Sequence, residues 1–224
     1  MKKIFVIVLL GCLMYGQSVD CVGNSITASG YPQITNSLMI QDNYDWRVYN
    51  YGVPGITVSI AGFDYINTPT YQEVMNRKSE HIVVLLGTGD VDVIANHGTF
   101  DWEIDFRILI DSLQSVSQKV FLGTIPYKIY SGNNSVIDNM NTVIIKIAQE
   151  KQIPIIDFNT VLGTNPDNFL ADGVHPSTDG KQKLANLAFN ELTSYPLGID
   201  DEYWEAVEEY EKDRKIGWFG CSKK

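Results

Sequence analysis

The chain has 224 residues, enough for one well-packed domain and short for two. At 44% hydrophobic, with 12 Tyr, 9 Phe and 4 Trp, it carries too many large apolar groups for a disordered polypeptide. Lys and Arg number 17 against 27 Asp and Glu, a net charge of −10; nucleic acid or an anionic membrane surface is excluded as the main partner, because both need concentrated positive charge.

Lys2 and Lys3 precede an apolar stretch from Ile4 to about Met14, followed by Gly16, Gln17 and Ser18. A basic start, a short apolar run and small or polar residues at the break predict a secretory signal peptide over residues 1–18, hence a secreted or periplasmic protein. The apolar run is too short for a membrane span, which takes ~20 residues, so the mature chain is expected to have no transmembrane segment. Leu9-Leu10-Gly11-Cys12 also resembles a lipidation site, which makes a lipoprotein anchored at Cys12 the alternative. Once Cys12 leaves with the signal, Cys21 and Cys221 remain as an even pair in an oxidising compartment, free or bonded.

Residues 19–22 read as a strand, 31–40 as a helix with Ile34, Leu38 and Met39 at helical spacing, and 46–49 as a short strand. The unbroken run "HIVVLL" (81–86) predicts a strand covered on both faces. Helix 106–116, strand 120–122, helix 136–149, strand 154–158 and helix 178–192 follow. The acids of "TGDVDV" are expected to face solvent or cap the next helix. Beyond Pro196 the chain turns acidic, and residues 196–224 read as a helix with Tyr203, Val207 and Tyr210 on one stripe, then a tail. Strands alternating with helices predict an α/β fold, a parallel sheet with helices on both faces and ligands at the carboxyl ends of the strands.

Ser25 directly follows the first strand, and "DGVHPSTDG" supplies Asp172 and His175 between the last strand and the last helix. A serine hydroxyl attacks well only when a base takes its proton, and the base works best when a carboxylate orients it. Alone, Ser25 would be a helix cap and Asp172-x-x-His175 a surface loop. Together, at the same edge of one sheet, they form a candidate catalytic triad. No CxxC, HExxH or clustered His/Cys pattern supports a metal, and no cofactor is expected. The absence of G-x-S-x-G excludes the strained nucleophile elbow of the α/β-hydrolases.

Four segments resemble the motif blocks of the SGNH (GDSL-type) hydrolases over roughly residues 19–195. "VGNSITASGYP" is similar to the first block, with Ser25 as nucleophile, and "NYGVPGIT" to the second, with Gly55 as oxyanion donor. "VVLLGTGD" is similar to the third and "DGVHPS" to the fifth. The resemblance implies a three-layer α/β/α flavodoxin-like sandwich in which Ser25, Asp172 and His175 are catalytic, Gly55 and Gly89 flank the oxyanion hole, and no metal takes part. It further implies a serine esterase that removes short acyl groups, acetyl above all, from a small-molecule or carbohydrate ester through an acyl-serine. A lysophospholipase or thioesterase, or a glycan-binding member without turnover, are the alternatives. Two positions depart from the pattern: Asn24 stands where the family has Asp, and Gly89 where it has the Asn whose amide is the third oxyanion donor. A simple vacancy at Gly89 would let Gly89→Asn raise kcat.

Overall fold

The computed structural model describes residues 17–59, 63–97 and 100–194. The leader up to residue 16, the acidic segment beyond Pro196 and Cys221 lie outside the described residues. Five parallel strands form one sheet: β1 (Gln17–Gly23), β2 (Trp46–Gly52), β3 (His81–Leu85), β4 (Lys119–Gly123) and β5 (Ile155–Ile156), in the order β2-β1-β3-β4-β5. This order winds outward both ways from the β1/β3 junction, as flavodoxin-like sheets do.

Helices cover both faces, giving the three-layer α/β/α sandwich. They are α1 (Ser25–Ala28), α2 (Tyr31–Gln41), α3 (Pro69–Arg77), α4 (Val91–His97), α5 (Phe100–Gln114), α6 (Asn134–Lys151), α7 (Phe158–Leu162) and α8 (Thr178–Ser194). Side chains alternate across each strand, so one sheet builds two cores. Val22, Ile82, Val84 and Leu122 pack against α3, α5 and α6 through Val74, Phe106, Ile110 and Ile144. Val19, Cys21, Val83 and Phe121 pack against α2, α7 and α8 through Tyr31, Met39, Phe158 and Leu184. Every residue of β3 is buried, as an apolar strand covered on both faces requires. No helix among the described residues is long and apolar enough to cross a membrane.

Some elements differ from the sequence expectation. β1 begins at Gln17, two residues before the strand expected from Val19. Gln17 Oε1 lies 2.7 Å from His81 Nε2, and the Ser18 N–H donates to the Glu80 carboxylate at 2.8 Å. The strand expected over 154–158 shrinks to β5, because the Asp157 carboxylate accepts from the Thr160 N–H at 3.2 Å and starts α7. α3 was not foreseen; Thr68 caps it, accepting from the Tyr71 N–H at 3.0 Å, and Pro69 sits in its first turn. Cys21 is buried and forms no disulfide among the described residues.

At the carboxyl edge of the sheet, α1 lies almost on the backbone of β2. A Cβ at Gly52 would fall 2.2 Å from the Ala28 nitrogen and 2.7 Å from its Cα, both backbone atoms that cannot swing away. Gly52→Ala should therefore lower the unfolding free energy by about 1–3 kcal/mol, as overpacking does, read as a lower urea midpoint at unchanged slope. An unshifted midpoint would mean that α1 moves freely.

Candidate active site

Asn24 turns the chain from β1 into α1. Its backbone is extended at φ −97, and its side-chain oxygen accepts from the Ile26 N–H at 3.0 Å, which caps the helix. Asn24 is buried, so the amide provides the capping acceptor without putting a charge beside the next residue. That next residue is Ser25, half-buried, in the first turn where backbone N–H groups lack intrahelical acceptors.

The partner arrives from the far end of the chain. Asp172 Oδ1 accepts from the Val174 and His175 N–H groups, both at 2.9 Å, and closes the turn. The His175 carbonyl accepts from the Leu170 N–H at 2.8 Å, and the Leu170 carbonyl from the Gly173 N–H at 2.9 Å. Asp172 Oδ2 then faces His175 Nδ1 at 2.7 Å, and His175 Nε2 faces Ser25 Oγ at 2.9 Å. A carboxylate beside Nδ1 selects the tautomer with its proton there and leaves the Nε2 lone pair aimed at the hydroxyl. The three residues named from the sequence thus meet in one line.

The Val174 N–H, the His175 side chain and the His175 N–H hold the Asp172 carboxyl down at about 2. A folded value below the unfolded one means that the carboxylate keeps its charge until the pH falls through about 2, while its share of stability, full above the unfolded value of 3.8, is lost progressively between the two.

Gly55 occupies the turn after β2 at φ 76, a conformation natural to glycine. Gly89 has close neighbours and does not border a simple vacancy. A Cβ there would fall 2.9 Å from the Ile56 carbonyl oxygen and 3.1 Å from Thr57 Cγ2. The turn that carries Gly55 occupies the space a side chain would need.

Asp90, expected to face solvent or cap a helix, is instead fully buried and explains the position of that turn. Its carboxylate accepts from the Val58 N–H, at 3.0 and 3.1 Å to its two oxygens, and from the Ser59 N–H at 3.1 Å. Burial pushes this carboxyl up to about 6, against the opposing pull of the Ser59 and Val58 N–H groups. Asp92, two residues on, is the exposed member and pairs with Lys128 Nζ at 2.8 Å. A cavity of about 230 Å³ beside this turn is lined by Val58, Ser59, Asp64 and Asp105 among others, and by none of the triad. Among the described residues no group of three His, Cys, Asp or Glu is placed to hold a metal ion.

A family model described as the GDSL-like lipase/acylhydrolase family matches residues 21–183, which include Ser25, Gly55, Gly89, Asp172 and His175. An acetylxylan esterase of Xylanibacter ruminicola is 28% identical over 203 residues, covering 75% of this chain and 42% of that protein. A multidomain esterase of Ruminococcus flavefaciens is 31% identical over 158 residues, covering 65% of this chain and 19% of that protein. The chain thus spans less than half the length of either relative. Among solved structures, a lipase/acylhydrolase from Enterococcus faecalis superimposes with a TM-score of 0.69 at 22% identity, covering 80% of this chain and 96% of that one. An acetylxylan esterase from Geobacillus stearothermophilus gives 0.67 at 21%, covering 83% and 95%. These likenesses carry the fold.

Two expectations follow from the geometry. Gly89→Asn and Gly89→Ala should both lower kcat for ester hydrolysis by roughly tenfold or more, because either Cβ displaces the Gly55 turn. A rise in kcat with Asn would mean that the turn yields and the amide finds the oxyanion. On the acid side, the rate between pH 4 and 8 should show no step from Asp172, whose charge is constant there. A carboxylate step in that range that vanishes in Asp172→Asn would overturn this assignment.

Proposed function

This chain belongs to the GDSL-like lipase/acylhydrolase family, and we propose that it is a serine ester hydrolase that removes acetyl groups from xylan or a related carbohydrate. The observation that carries the proposal is the continuous line from Ser25 Oγ through the His175 ring to Asp172, at 2.9 and 2.7 Å. Substrate choice is supported by the acetylxylan esterase among the relatives, and action outside the cytoplasm by the leader-like stretch from Lys2 to Met14.

In the proposed reaction Ser25 Oγ attacks the acetyl carbonyl while His175 Nε2 takes the hydroxyl proton. Asp172 stabilises the imidazolium that forms and keeps its ring in place; it does not itself take the proton. The backbone N–H groups of Ser25, Gly55 and Gly89 are the donors assigned to the oxyanion, so the hole is built from main chain instead of an asparagine amide. Collapse breaks the bond to the sugar oxygen, which leaves with the proton from His175, and Ser25 holds the acetyl group. Water, deprotonated by the same nitrogen, releases acetate and restores the serine.

Ser25→Ala should cut hydrolysis of p-nitrophenyl acetate by about 10⁴-fold or more at an unchanged unfolding midpoint, since a small hydroxyl contributes little packing. Retained activity in this variant would refute the serine mechanism. Among p-nitrophenyl acetate, butyrate and octanoate, the acetate should be turned over best. Preference for octanoate would transfer the assignment to a lipase or thioesterase.

A further inference from the structure

The loop between β4 and α6 passes over the catalytic turn and brings one aromatic side chain with it. Tyr130 is 68% exposed, the most open of the large apolar side chains among the described residues. Its ring edge lies against the backbone between Asp172 and His175: a Cβ built on Gly173 would sit 2.4 Å from Tyr130 Cδ2 and 3.0 Å from Cε2. Only a glycine at 173 lets the ring approach the turn this closely.

The loop is fastened on both sides. The Ile129 N–H donates to the Gly173 carbonyl at 2.9 Å, which ties it to the catalytic turn. Lys128 Nζ and Asn133 Nδ2 both reach the Asp92 carboxylate, at 2.8 and 3.1 Å, which ties it to α4. Inside the loop the Ser131 N–H donates to the Lys128 carbonyl at 2.9 Å, and the Asn133 N–H to Ser131 Oγ at 3.1 Å. Leu170, half exposed, belongs to the same turn as Gly173 and adds a second apolar group.

A single exposed aromatic needs no explanation on a protein surface. An aromatic held by hydrogen bonds on either side, against the turn that carries the base, is differently placed. A pyranose ring has an apolar face of C–H groups whose partial positive charge matches the negative face of an aromatic ring. A tyrosine presents that face with only two side-chain torsions to freeze. We propose that Tyr130 is the platform for the sugar ring whose acetyl group reaches Ser25, and so determines preference for carbohydrate over small synthetic esters; this rests on the carbohydrate-ester function proposed above.

The test compares kcat/KM for an acetylated xylo-oligosaccharide with that for p-nitrophenyl acetate, which has no sugar. In Tyr130→Ala the ratio of oligosaccharide to p-nitrophenyl acetate should fall about tenfold, mainly through KM for the oligosaccharide. Tyr130→Phe and Tyr130→Trp, which keep an aromatic face, should hold the ratio within about twofold. A ratio unmoved in Tyr130→Ala would overturn the platform and leave the proposed function standing. A loss of the ratio in Tyr130→Phe equal to that in Tyr130→Ala would also overturn it, since the hydroxyl and not the face would then carry the preference. Wild-type protein that cleaves p-nitrophenyl acetate but releases no acetate from the oligosaccharide would remove the carbohydrate substrate and the platform together.

Discussion

The closeness of α1 to the ends of β1 and β2 is the constraint on which the site depends. A four-residue helix has little stability of its own, so its direction must be imposed from outside. Asn24 imposes it at the start by capping the Ile26 N–H, and the bare backbone of Gly52 imposes it from below. Ser25 is thereby fixed relative to the sheet. His175 lies 150 residues later in the sequence, so its contact with Ser25 closes only when the first strand and the turn before α8 share one assembled sheet. Local geometry at Ser25 and global topology are two halves of one requirement.

The turn after β2 takes its position from two neighbouring residues, Gly89 and Asp90. Gly89 alone would leave a gap, and Asp90 alone would be a buried charge of the kind proteins avoid. Together they bring the Gly55 turn inward: the missing Cβ admits the Ile56 carbonyl, and the carboxylate gathers the Val58 and Ser59 N–H groups behind it. This arrangement carries a cost. A carboxyl raised to about 6 in the fold favours folding when protonated, so stability associated with it falls as the pH rises towards about 6 and stays lower above it. Precision in the turn is obtained at the expense of stability at neutral pH.

The centre of the sheet was legible because β3 is an unbroken apolar run. "HIVVLL" can bury on both faces only in the middle of such a sheet, and Ser25, Asp172 and His175 follow from where their strands end. α3 was missed because it is short and mostly polar, although Tyr71, Val74 and Met75 form a stripe at helical spacing and Thr68-Pro69 was a readable start. The 154–158 strand was overextended because Phe158 is as apolar in a helix as in a strand; the cap at Asp157 decides it. Asp90 was misplaced for a deeper reason. An acid two residues from another at the start of a helix looks solvated, and only the three-dimensional approach of the 58–59 backbone supplies the donors that let it be buried. Local sequence records which groups a residue carries, while its partners from distant turns are written elsewhere in the chain.

Two histidines illustrate how burial divides structural from chemical roles. His81 stacks on Trp46 at a centroid distance of 4.9 Å at the amino edge of the sheet, with Gln17 against its Nε2. Burial, aided by the nearby Lys119 charge, pushes it down to about 4, so the ring is neutral wherever the fold is intact near neutral pH and has no proton to trade. Its surroundings would have to rearrange to accept one. His175 stands at the opposite edge, a third exposed, with a carboxylate on one nitrogen and a hydroxyl on the other. There an added proton meets a counter-charge that is already ionised, and water can reach the ring. The same side chain is a packing element at one end of the strands, while at the other it keeps solvent, a carboxylate and a hydroxyl within reach, as the proposed role of proton carrier requires.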